Sequence, residues 1–305
     1  MNKILARLIV FFVLIAQNGN AQNTYENDSL FSESNILKHL KSLSSDTFEG
    51  RRTGTDGAIK AKKYIINQFH SLNVVPLIKD YEQPFSFINR RKYYKGINVL
   101  GLIKGSKLPE KYIVISAHYD HEGIKYGKIY NGADDNASGV SALFAFAEYF
   151  KNNPPNYSVI LAAFDAEELQ IKGSKYFMDN TIVNLKDIVV NLNMDMISRS
   201  VKNELFVVGT KKNMRLKHII SEVENTYKII LKTGHDGYDG LDNWTYSSDH
   251  INFYKKDIPF LYFGVEDHKD YHEPTDDYEN IQPEFYIDAV KTIISVFEKI
   301  DNSKF

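Results

Sequence analysis

Five side chains of types that bind metal ions follow one another along the chain, each at the end of an apolar run. They are His118, Asp135, Glu168, Asp195 and His272. Two imidazoles and three carboxylates are the ligand set of a paired zinc site, in which one carboxylate bridges the ions and each ion keeps an open position. Glu167 directly precedes Glu168, so it can lie beside a coordinated water without binding a metal, where a general base is needed. These residue types predict a two-metal hydrolytic centre.

Two of these positions lie in short polar motifs. Asp120 closely follows His118, and its carboxylate is predicted to accept a hydrogen bond from the ring nitrogen that faces away from the metal. Asp135 lies in residues 131–140, NGADDNASGV, where small residues let the backbone approach a site and Ser138 helps to start a helix. We interpret Asp135 as the bridging carboxylate, although a turn followed by a helix cap has the same composition.

The remaining acidic candidates follow apolar segments. Glu167 and Glu168 come soon after residues 158–164, and Asp195 lies within residues 193–197. An unpaired carboxylate beside a core is costly unless a metal ion or hydrogen bonds compensate, so this placement favours a site over a solvated loop. An isolated Asp such as Asp195 is equally able to cap a turn.

A motif near the C terminus supplies the last imidazole. His272 is predicted to complete the second metal site with Asp276 as its orienting partner, and Tyr271 is predicted to offer its hydroxyl to a developing oxyanion. Spare imidazoles, for which we favour surface or supporting positions over metal binding, are His121, His235, His250 and His268. Candidates for lining a substrate pocket, whose preference the sequence does not define, are Arg199, Asp239 and Trp244.

The elements that position these residues alternate between strands and helices. Apolar runs predict strands over residues 98–103, 112–117, 158–164, 188–192, 205–208 and 259–263. Helical spacing predicts helices over residues 35–43, 58–72, 138–150, 213–227 and 285–300, with a further helix opening at Gly173. This alternation predicts a single α/β domain with a mostly parallel, mixed central sheet and helices on both faces. Such sheets bind ligands beyond the carboxyl ends of their strands, where most of the five candidates lie.

Composition narrows the classes of partner. The chain has 305 residues, of which 43% are hydrophobic, and its formal net charge is −2. That length supports one large domain, and no long basic run indicates nucleic acid or an anionic membrane as a partner. The chain has no cysteine, which excludes a disulfide framework and a lipoprotein cysteine.

The N terminus is typical of a secretory signal peptide. Lys3 and Arg7 precede the apolar residues 8–16, and a small residue, Ala21, marks the expected cleavage site. The predicted signal peptide, loose lead-in and catalytic domain occupy residues 1–21, 22–34 and 35–305. The apolar run is shorter than the about 20 residues of a membrane span, so an uncleaved anchor is the less favoured alternative. We therefore expect an exported protein, periplasmic or extracellular, without stable membrane association.

The order of the motifs resembles that of the co-catalytic zinc aminopeptidase family, which includes secreted bacterial leucyl aminopeptidases. The resemblance is carried by His118-x-Asp120, Gly132-Ala133-Asp134-Asp135-Asn136-x-Ser138-Gly139, Glu167-Glu168, Asp195 and Tyr271-His272-x-Pro274. More distant relatives are glutamate carboxypeptidase, the transferrin receptor ectodomain and glutaminyl cyclase. Residues 49–54, EGRRTG, resemble a segment that precedes the catalytic core in exported bacterial members. The resemblance runs from about Leu37 to the C terminus.

The resemblance implies a fold of the zinc-peptidase type, peptide substrates and two zinc ions per chain. It implies that one zinc is held by His118, Asp135 and Asp195, and the other by Asp135, Glu168 and His272. It also implies a water or hydroxide that bridges the ions, with Glu167 acting first as base and then as acid. The expected activity is that of an exopeptidase that removes N-terminal residues.

Two alternatives remain open. A glutaminyl cyclase would use a related site, typically with one zinc and an aromatic clamp, but Trp244 is the only tryptophan and is not adjacent to His272. A receptor-like module with the peptidase fold would be catalytically inactive, yet such proteins lose ligands and this chain retains the complete set. Preference for an aminopeptidase over a carboxypeptidase or dipeptidase rests on the family resemblance.

Overall fold

The computed structural model describes residues 30–223, 227–237 and 239–303. The predicted signal peptide, residues 1–21, and residues 22–29 of the predicted lead-in lie outside the described residues. Within the rest of the lead-in, Phe31 is buried and the first helix already begins at Glu33, where the Ser32 side chain caps it. Over the described ranges, no helix combines the length and the apolar character that crossing a bilayer would require.

Helices and strands alternate along the chain. The helices are α1 (Glu33–Leu43), α2 (Asp56–Ser71), α3 (Gly139–Tyr149), α4 (Lys172–Asp179), α5 (Met214–Ser221), α6 (His250–Tyr254) and α7 (Pro283–Asp301). The strands are β1 (Val75–Pro76), β2 (Glu82–Asn89), β3 (Lys92–Ile103), β4 (Leu108–His118), β5 (Gly123–Lys125), β6 (Lys128–Tyr130), β7 (Tyr157–Phe164), β8 (Ile188–Met194), β9 (Glu204–Val208), β10 (Ile230–Thr233) and β11 (Phe260–Gly264).

A mixed sheet forms the centre of the molecule. Its strand order is β1-β3-β7-β4-β8-β11-β9-β10, with β2 also paired to β3. The central strands β7, β4, β8 and β11 are parallel, and β3 and β9 flank them in the antiparallel direction. The predicted α/β fold with a mixed sheet is confirmed. The outer strands β9 and β10 also pair in parallel, whereas β1, β2 and β3 and the β11–β9 pair supply the antiparallel part of the mixed sheet.

Both faces of the sheet are covered by helices. Strand β7 is buried along its whole length, as expected for a strand between two apolar layers. Its residues Val159, Leu161 and Ala163 belong to a core cluster with α1, α2, α3, α5 and α7. The alternate residues of β7 pack on the opposite face against Phe177 of α4 and Phe253 of α6. This two-sided burial fixes the strand register, because a shift by one residue would exchange the faces.

The structure differs from the sequence prediction at the edges of the sheet. The helix predicted over residues 213–227 ends at Ser221. Strand β2 was not predicted, since its side chains are only partly buried and Pro84 lies within it. A proline is tolerated there because, among the residues that the structure describes, β2 pairs with β3 alone and its other side is an edge.

The carboxyl ends of the parallel strands meet at one edge. Strand β4 ends at His118, which lies opposite Phe164 at the end of β7. Strand β8 ends one position before Asp195, and β11 ends before the loop that carries His272. Asp135 lies in the irregular turn Ala133–Ser138, between β6 and α3. The fold thus brings residues that are far apart in sequence to a single edge of the sheet.

Candidate active site

One group of potential ligands surrounds the imidazole of His118. Its Nε2 atom lies 3.2 Å from Asp135 Oδ1 and 3.2 Å from Asp195 Oδ1. His118 is 1% exposed, and both carboxylates are buried as well. Three donor atoms of types that bind zinc therefore converge on one point.

A second group shares Asp135 with the first. His272 Nε2 lies 3.2 Å from Asp135 Oδ2 and 3.3 Å from Glu168 Oε2. The two oxygens of Asp135 thus face different imidazoles, one on each side of the carboxylate. The structure therefore brings the five candidate ligands together around Asp135.

The spacing of these atoms fits metal coordination. Zinc binds nitrogen and oxygen at about 2.0–2.1 Å, which places neighbouring ligand atoms of a tetrahedron about 3.3 Å apart. The four imidazole to carboxylate separations are 3.2, 3.2, 3.2 and 3.3 Å. His121 Nε2 is a buried polar atom without a hydrogen bond among the described residues, and His121 Nδ1 lies 2.8 Å from Glu168 Oε1. A cation would compensate the desolvated carboxylates that converge here.

The turn that carries Asp135 is held by two other aspartates. The carboxylate of Asp276 accepts hydrogen bonds from the main-chain N–H groups of Asp134 (2.9 Å) and Asp135 (3.0 Å). The carboxylate of Asp134 accepts two hydrogen bonds of 2.7 Å from Ser198 and lies 3.0 Å from His268 Nε2. Asp276 was predicted to orient His272. In the structure, its two carboxylate oxygens instead accept hydrogen bonds from main-chain amides of the turn that carries Asp135.

Asp120 contacts His118 through its main chain. The Nδ1 atom of His118 lies 3.1 Å from the Asp120 carbonyl oxygen, whereas its separation from the Asp120 carboxylate is 3.7 Å. The Asp120 carbonyl oxygen thus lies at hydrogen-bond distance from the His118 ring, and the Asp120 carboxylate lies at ion-pair distance from the same nitrogen. The carboxylate itself accepts hydrogen bonds from the main-chain N–H groups of Glu167 (3.0 Å) and Glu168 (3.3 Å). Asp120 thus links the ends of β4 and β7.

Glu167 lies beside the ligands and faces the cavity. Burial raises its pKa well above the ordinary value of a glutamate, and repulsion from Asp195 and Glu168 adds to that effect. Ala166, which precedes it, has a φ of 61°, in the left-handed region that few residues other than glycine adopt. Met196 and His272 have similar angles of 59° and 55°. Such backbone conformations concentrate at functional sites, where the surrounding structure holds them.

A cavity of about 280 Å³ opens beside this cluster. The candidate ligands at its wall are His118, Asp135, Asp195 and His272, and Glu167 lines it with them. Aromatic side chains at the cavity are Trp244, Tyr262 and Tyr271. Two further carboxylates, Asp242 and Asp267, lie at its mouth and are exposed. The cavity is therefore acidic, with aromatic walls.

Tyr271, predicted as an oxyanion donor, lies at the rim. Its ring stacks on the imidazole of His272 with centroids 3.9 Å apart, and the side chain is about a third exposed. Burial and the neighbouring carboxylates raise its pKa, so the hydroxyl keeps its proton and can donate a hydrogen bond. Tyr262 also reaches the cavity, where burial raises its pKa in the same way.

The three residues considered for the pocket lining have different positions. Trp244 lines the cavity and is stacked on His235, with centroids 3.5 Å apart. Buried His250 Nε2 donates a hydrogen bond to the Trp244 carbonyl at 2.8 Å, and burial lowers the pKa of His250 to about 4. Arg199 instead pairs with Asp270 at 2.8 Å. The Asp239 carboxylate accepts local main-chain hydrogen bonds, so neither Asp239 nor Arg199 lines the cavity.

His121 was expected at a surface or supporting position, whereas Thr53 was not identified from the sequence as a supporting residue. His121 is fully buried, with Nδ1 2.8 Å from Glu168 Oε1 and 3.6 Å from Asp135 Oδ2. The Thr53 hydroxyl donates a hydrogen bond to Asp165 (2.8 Å) and lies 3.2 Å from a carboxylate oxygen of Asp120, and burial raises the pKa of Asp165 to about 7. The sequence signal for Thr53 was its place in the EGRRTG segment, whose function the sequence alone does not define.

The fold and these clusters define a class of α/β proteins with imidazole and carboxylate groups that could hold metal at the carboxyl edge of a mixed sheet. Residues 98–297 match the sequence model of peptidase family M28. The chain therefore belongs to peptidase family M28, which confirms the family resemblance of its motifs.

Curated relatives agree with this assignment. The aminopeptidase YwaD of Bacillus subtilis is 28% identical over 217 residues, which cover 68% of this chain and 45% of the relative. The vacuolar membrane protease of Schizosaccharomyces japonicus is 25% identical over 182 residues, covering 57% of this chain and 20% of the relative. The chain thus spans less than half the length of these relatives.

Solved structures share the fold at low sequence identity. A zinc aminopeptidase from Bacillus subtilis superposes with a TM-score of 0.68 at 17% identity, covering 90% of this chain and 97% of that structure. A glutaminyl cyclase from Porphyromonas gingivalis superposes with a TM-score of 0.70 at 17% identity, covering 88% of this chain and 99% of that structure. The fold therefore does not separate these two activities.

Proposed function

We propose that the protein is an exported, zinc-dependent aminopeptidase that holds two zinc ions. The observation that carries the proposal is the placement of the two Asp135 oxygens, each 3.2 Å from a different imidazole nitrogen. His118 and Asp195 would complete one zinc site, and Glu168 and His272 the other. Export rests on the signal-like residues 1–21.

The chain's own residues supply binding, orientation and proton transfer. Bound zinc would lower the pKa of a coordinated water and polarise the carbonyl of the scissile bond. The Glu167 carboxylate, at the cavity wall, accepts a proton from the attacking water and delivers it to the leaving amine. The Tyr271 hydroxyl, which stays protonated, donates to the oxygen that becomes negative.

An acidic cavity favours a substrate with a free amino group. Asp242 and Asp267 at its mouth, together with Glu167 and Asp195 inside, attract an N-terminal ammonium group. The ring of Trp244, which stacks on His235, offers an aromatic surface for the N-terminal side chain of the substrate. Acetylation removes the ammonium charge, so it should abolish cleavage of an otherwise good substrate.

The test combines zinc content with substrate profiling of the purified protein. Elemental analysis should find about two zinc ions per chain, and free peptides should lose their N-terminal residue while acetylated peptides do not. Equal turnover of acetylated and free peptides would favour an endopeptidase or a carboxypeptidase. A folded protein that takes up no divalent metal would contradict the whole proposal and favour a receptor-like module.

Glutaminyl cyclisation is the second candidate, because Trp244 lies in the cavity and cyclases share the fold. A cyclase converts an N-terminal glutamine to pyroglutamate without shortening the peptide. Mass spectrometry of a peptide that begins with Gln separates the two: loss of ammonia alone indicates cyclisation, and loss of the residue indicates an aminopeptidase.

A further inference from the structure

A second cavity adjoins the metal-ligand cluster on the side of Glu168. Its volume is about 240 Å³, and it lies between the β2–β3 turn, the β5 strand and the loop after β7. We call it the basic pocket, defined by Arg52, Arg90, Glu122, Lys125 and Glu168. Tyr94 and Asn89 complete the wall on the hairpin side.

The basic pocket is continuous with the proposed zinc ligands. One carboxylate oxygen of Glu122, one of Glu168 and a ring nitrogen of His272 lie within 4.8 Å of one another. A group bound in this pocket is therefore only a few bond lengths from the second zinc site. The first cavity, which lies against His118 and Asp195, does not include Glu168 or Glu122.

The two cavities differ in the sign of their charge. In the basic pocket, Glu122 pairs with Arg52 at 3.0 Å and also with Lys125, so two cations neutralise one carboxylate. Arg90 is exposed and has no ion-pair partner anywhere in the part of the chain that the structure describes. Since zinc would neutralise Glu168, the pocket keeps an excess of positive charge. The first cavity carries the acidic pair Asp242 and Asp267 instead.

We propose that the basic pocket binds a carboxylate on the leaving side of the scissile bond, supplied by the C terminus of a dipeptide or tripeptide. This inference rests on the proposed aminopeptidase function and names its substrate class. A short peptide carries an ammonium group at one end and a carboxylate at the other, and the cavity lined by Asp135 and the pocket lined by Glu168 have the complementary charges. The guanidinium of Arg90 can bind both oxygens of a carboxylate.

The dimensions favour short peptides over long ones. An extended chain advances about 3.3–3.6 Å per residue. A carboxylate in the basic pocket, beside Glu168, is therefore within one or two residues of the bond to be cleaved. A longer peptide would place an uncharged peptide group there and lose the interaction with Arg90, unless an acidic side chain took the same place.

Matched peptides separate the two sources of carboxylate. One tripeptide is offered with a free C terminus, as the C-terminal amide, and as the amide with Asp at its second position. Charge-assisted hydrogen bonds predict a kcat/KM about 5- to 20-fold higher for the free acid than for the plain amide. Equal kcat/KM for these two peptides would overturn the proposal. A higher kcat/KM for the Asp-containing amide, without any advantage of the free acid over the plain amide, would also overturn it. The pocket would then bind an acidic side chain and not the C terminus.

A matched pair of variants assigns the preference to the pocket. Arg90→Gln removes the cation that lines the pocket, and Arg91→Gln removes the neighbouring cation of the same turn, which does not line it. The ratio of kcat/KM for acid over amide should fall close to one in Arg90→Gln and stay at the wild-type value in Arg91→Gln. An unchanged ratio in Arg90→Gln would contradict the proposal.

Binding without turnover keeps this inference separate from the proposed function. Calorimetric titration of the Glu167→Gln protein, loaded with zinc, measures affinity for the acid and the amide. Tighter binding of the acid, lost in the Glu167→Gln, Arg90→Gln double variant, supports the basic pocket even if the wild-type protein cleaves neither peptide. If the wild type cleaves the peptides but Glu167→Gln binds the acid and the amide equally well, the proposed aminopeptidase function stands. The basic pocket would then have no part in substrate binding.

Discussion

Glu167 and Glu168 are adjacent in the chain but face different parts of the site. Glu168 Oε2 lies 3.3 Å from His272 Nε2, in the position of a metal ligand. Glu167 lines the cavity without belonging to either ligand cluster. The Asp120 carboxylate accepts a hydrogen bond from the main-chain N–H of each residue, which fixes the backbone from which the two side chains diverge. The geometry thus supports separate functions for the two acids.

Substitution of each acid tests this division. Glu168→Ala removes a ligand, so zinc content and activity should fall together. Glu167→Gln keeps the size of the side chain but cannot accept a proton, so zinc should stay bound while kcat falls by roughly 10²- to 10⁴-fold. Elemental analysis and kcat at one pH are measured for both variants. Loss of zinc in Glu167→Gln with retention in Glu168→Ala would reverse the assignment.

The sequence could predict ligands but not the residues that support them. His118 and Asp195 stand out because each polar side chain ends or interrupts an apolar run, and strand ends are where such sheets bind ligands. His121 and Arg51 give no comparable signal, since their partners lie far away in the chain. The proximity of Asp120 to His118 could be predicted from their spacing, but spacing alone does not show whether the carbonyl or the carboxylate lies nearer the ring.

At the scale of elements, Arg51 joins three segments. This guanidinium is 1% exposed, and its hydrogen bonds go to main-chain carbonyl oxygens: Tyr119 (2.9 Å), Leu43 (2.7 Å), Asn131 (2.5 Å) and Gly132 (2.9 Å). It therefore links the end of α1, the loop after β4 and the turn before Asp135. Burial lowers its pKa to about 10, while the carboxylates of the site favour its charged form. This accounts for the first arginine of the EGRRTG segment.

Arg51→Lys should loosen both ligand-bearing loops. Lysine keeps the charge but cannot reach all of these carbonyls, and each buried carbonyl left without a donor costs about 1–3 kcal/mol. We expect the free energy of unfolding to fall by about 3 kcal/mol or more and zinc affinity to weaken at least about tenfold. Denaturant titration and zinc competition measure the two effects. Arg52→Lys is the control, because Arg52 forms a partly exposed pair with Glu122 that lysine can replace.

The central elements could be predicted and the peripheral ones could not, for a physical reason. Strand β7 and the second half of β4 are buried on both faces, so each reads as a mainly apolar run, and β8 is largely apolar apart from two asparagines. Strand β10 has only intermediate and exposed residues, and α6 is a helix of 5 residues. Their formation depends on neighbours supplied by the rest of the fold, which local sequence does not describe.

His39 makes one helix contact sensitive to pH. Its Nδ1 lies 2.7 Å from the Tyr64 hydroxyl, and its ring packs against Phe144 with centroids 5.0 Å apart, where α1, α2 and α3 meet. Burial, with a smaller effect of Lys38, lowers the pKa of His39 to about 4. Below pH of about 6.5 the unfolded chain therefore binds a proton that the folded chain does not. Stability should fall as the pH is lowered towards 4.

His39→Leu removes this titration. Between pH 7 and pH 5 the wild type should lose about 1 kcal/mol more of its free energy of unfolding than the variant, a value reduced for the partial exposure of the ring. Urea titrations of both proteins at the two pH values, with zinc in excess, give the difference. Parallel pH dependences in the two proteins would mean that His39 is not the titrating group.

At the scale of the whole molecule, the ligands come from loops that only the completed sheet brings together. His118 ends β4, Glu168 and Asp195 follow β7 and β8, and His272 lies in the loop after β11. The unfolded chain has no such arrangement, so zinc binds the folded state and stabilises it by mass action. Zinc therefore offsets the electrostatic repulsion among these carboxylates only in the complete fold.

Removal of zinc should therefore lower the melting temperature of the whole domain. At a free zinc concentration a thousand times Kd, binding adds about 4 kcal/mol of stability, which corresponds to about 8–16 °C for a domain of this size. Calorimetric scans of the protein before and after chelation, and again after zinc is restored, measure the shift. Asp135→Asn should lose most of this increment, because Asp135 is shared by both ligand groups. A wild-type protein that melts at the same temperature with and without its zinc would show that the metal centre is not coupled to the fold.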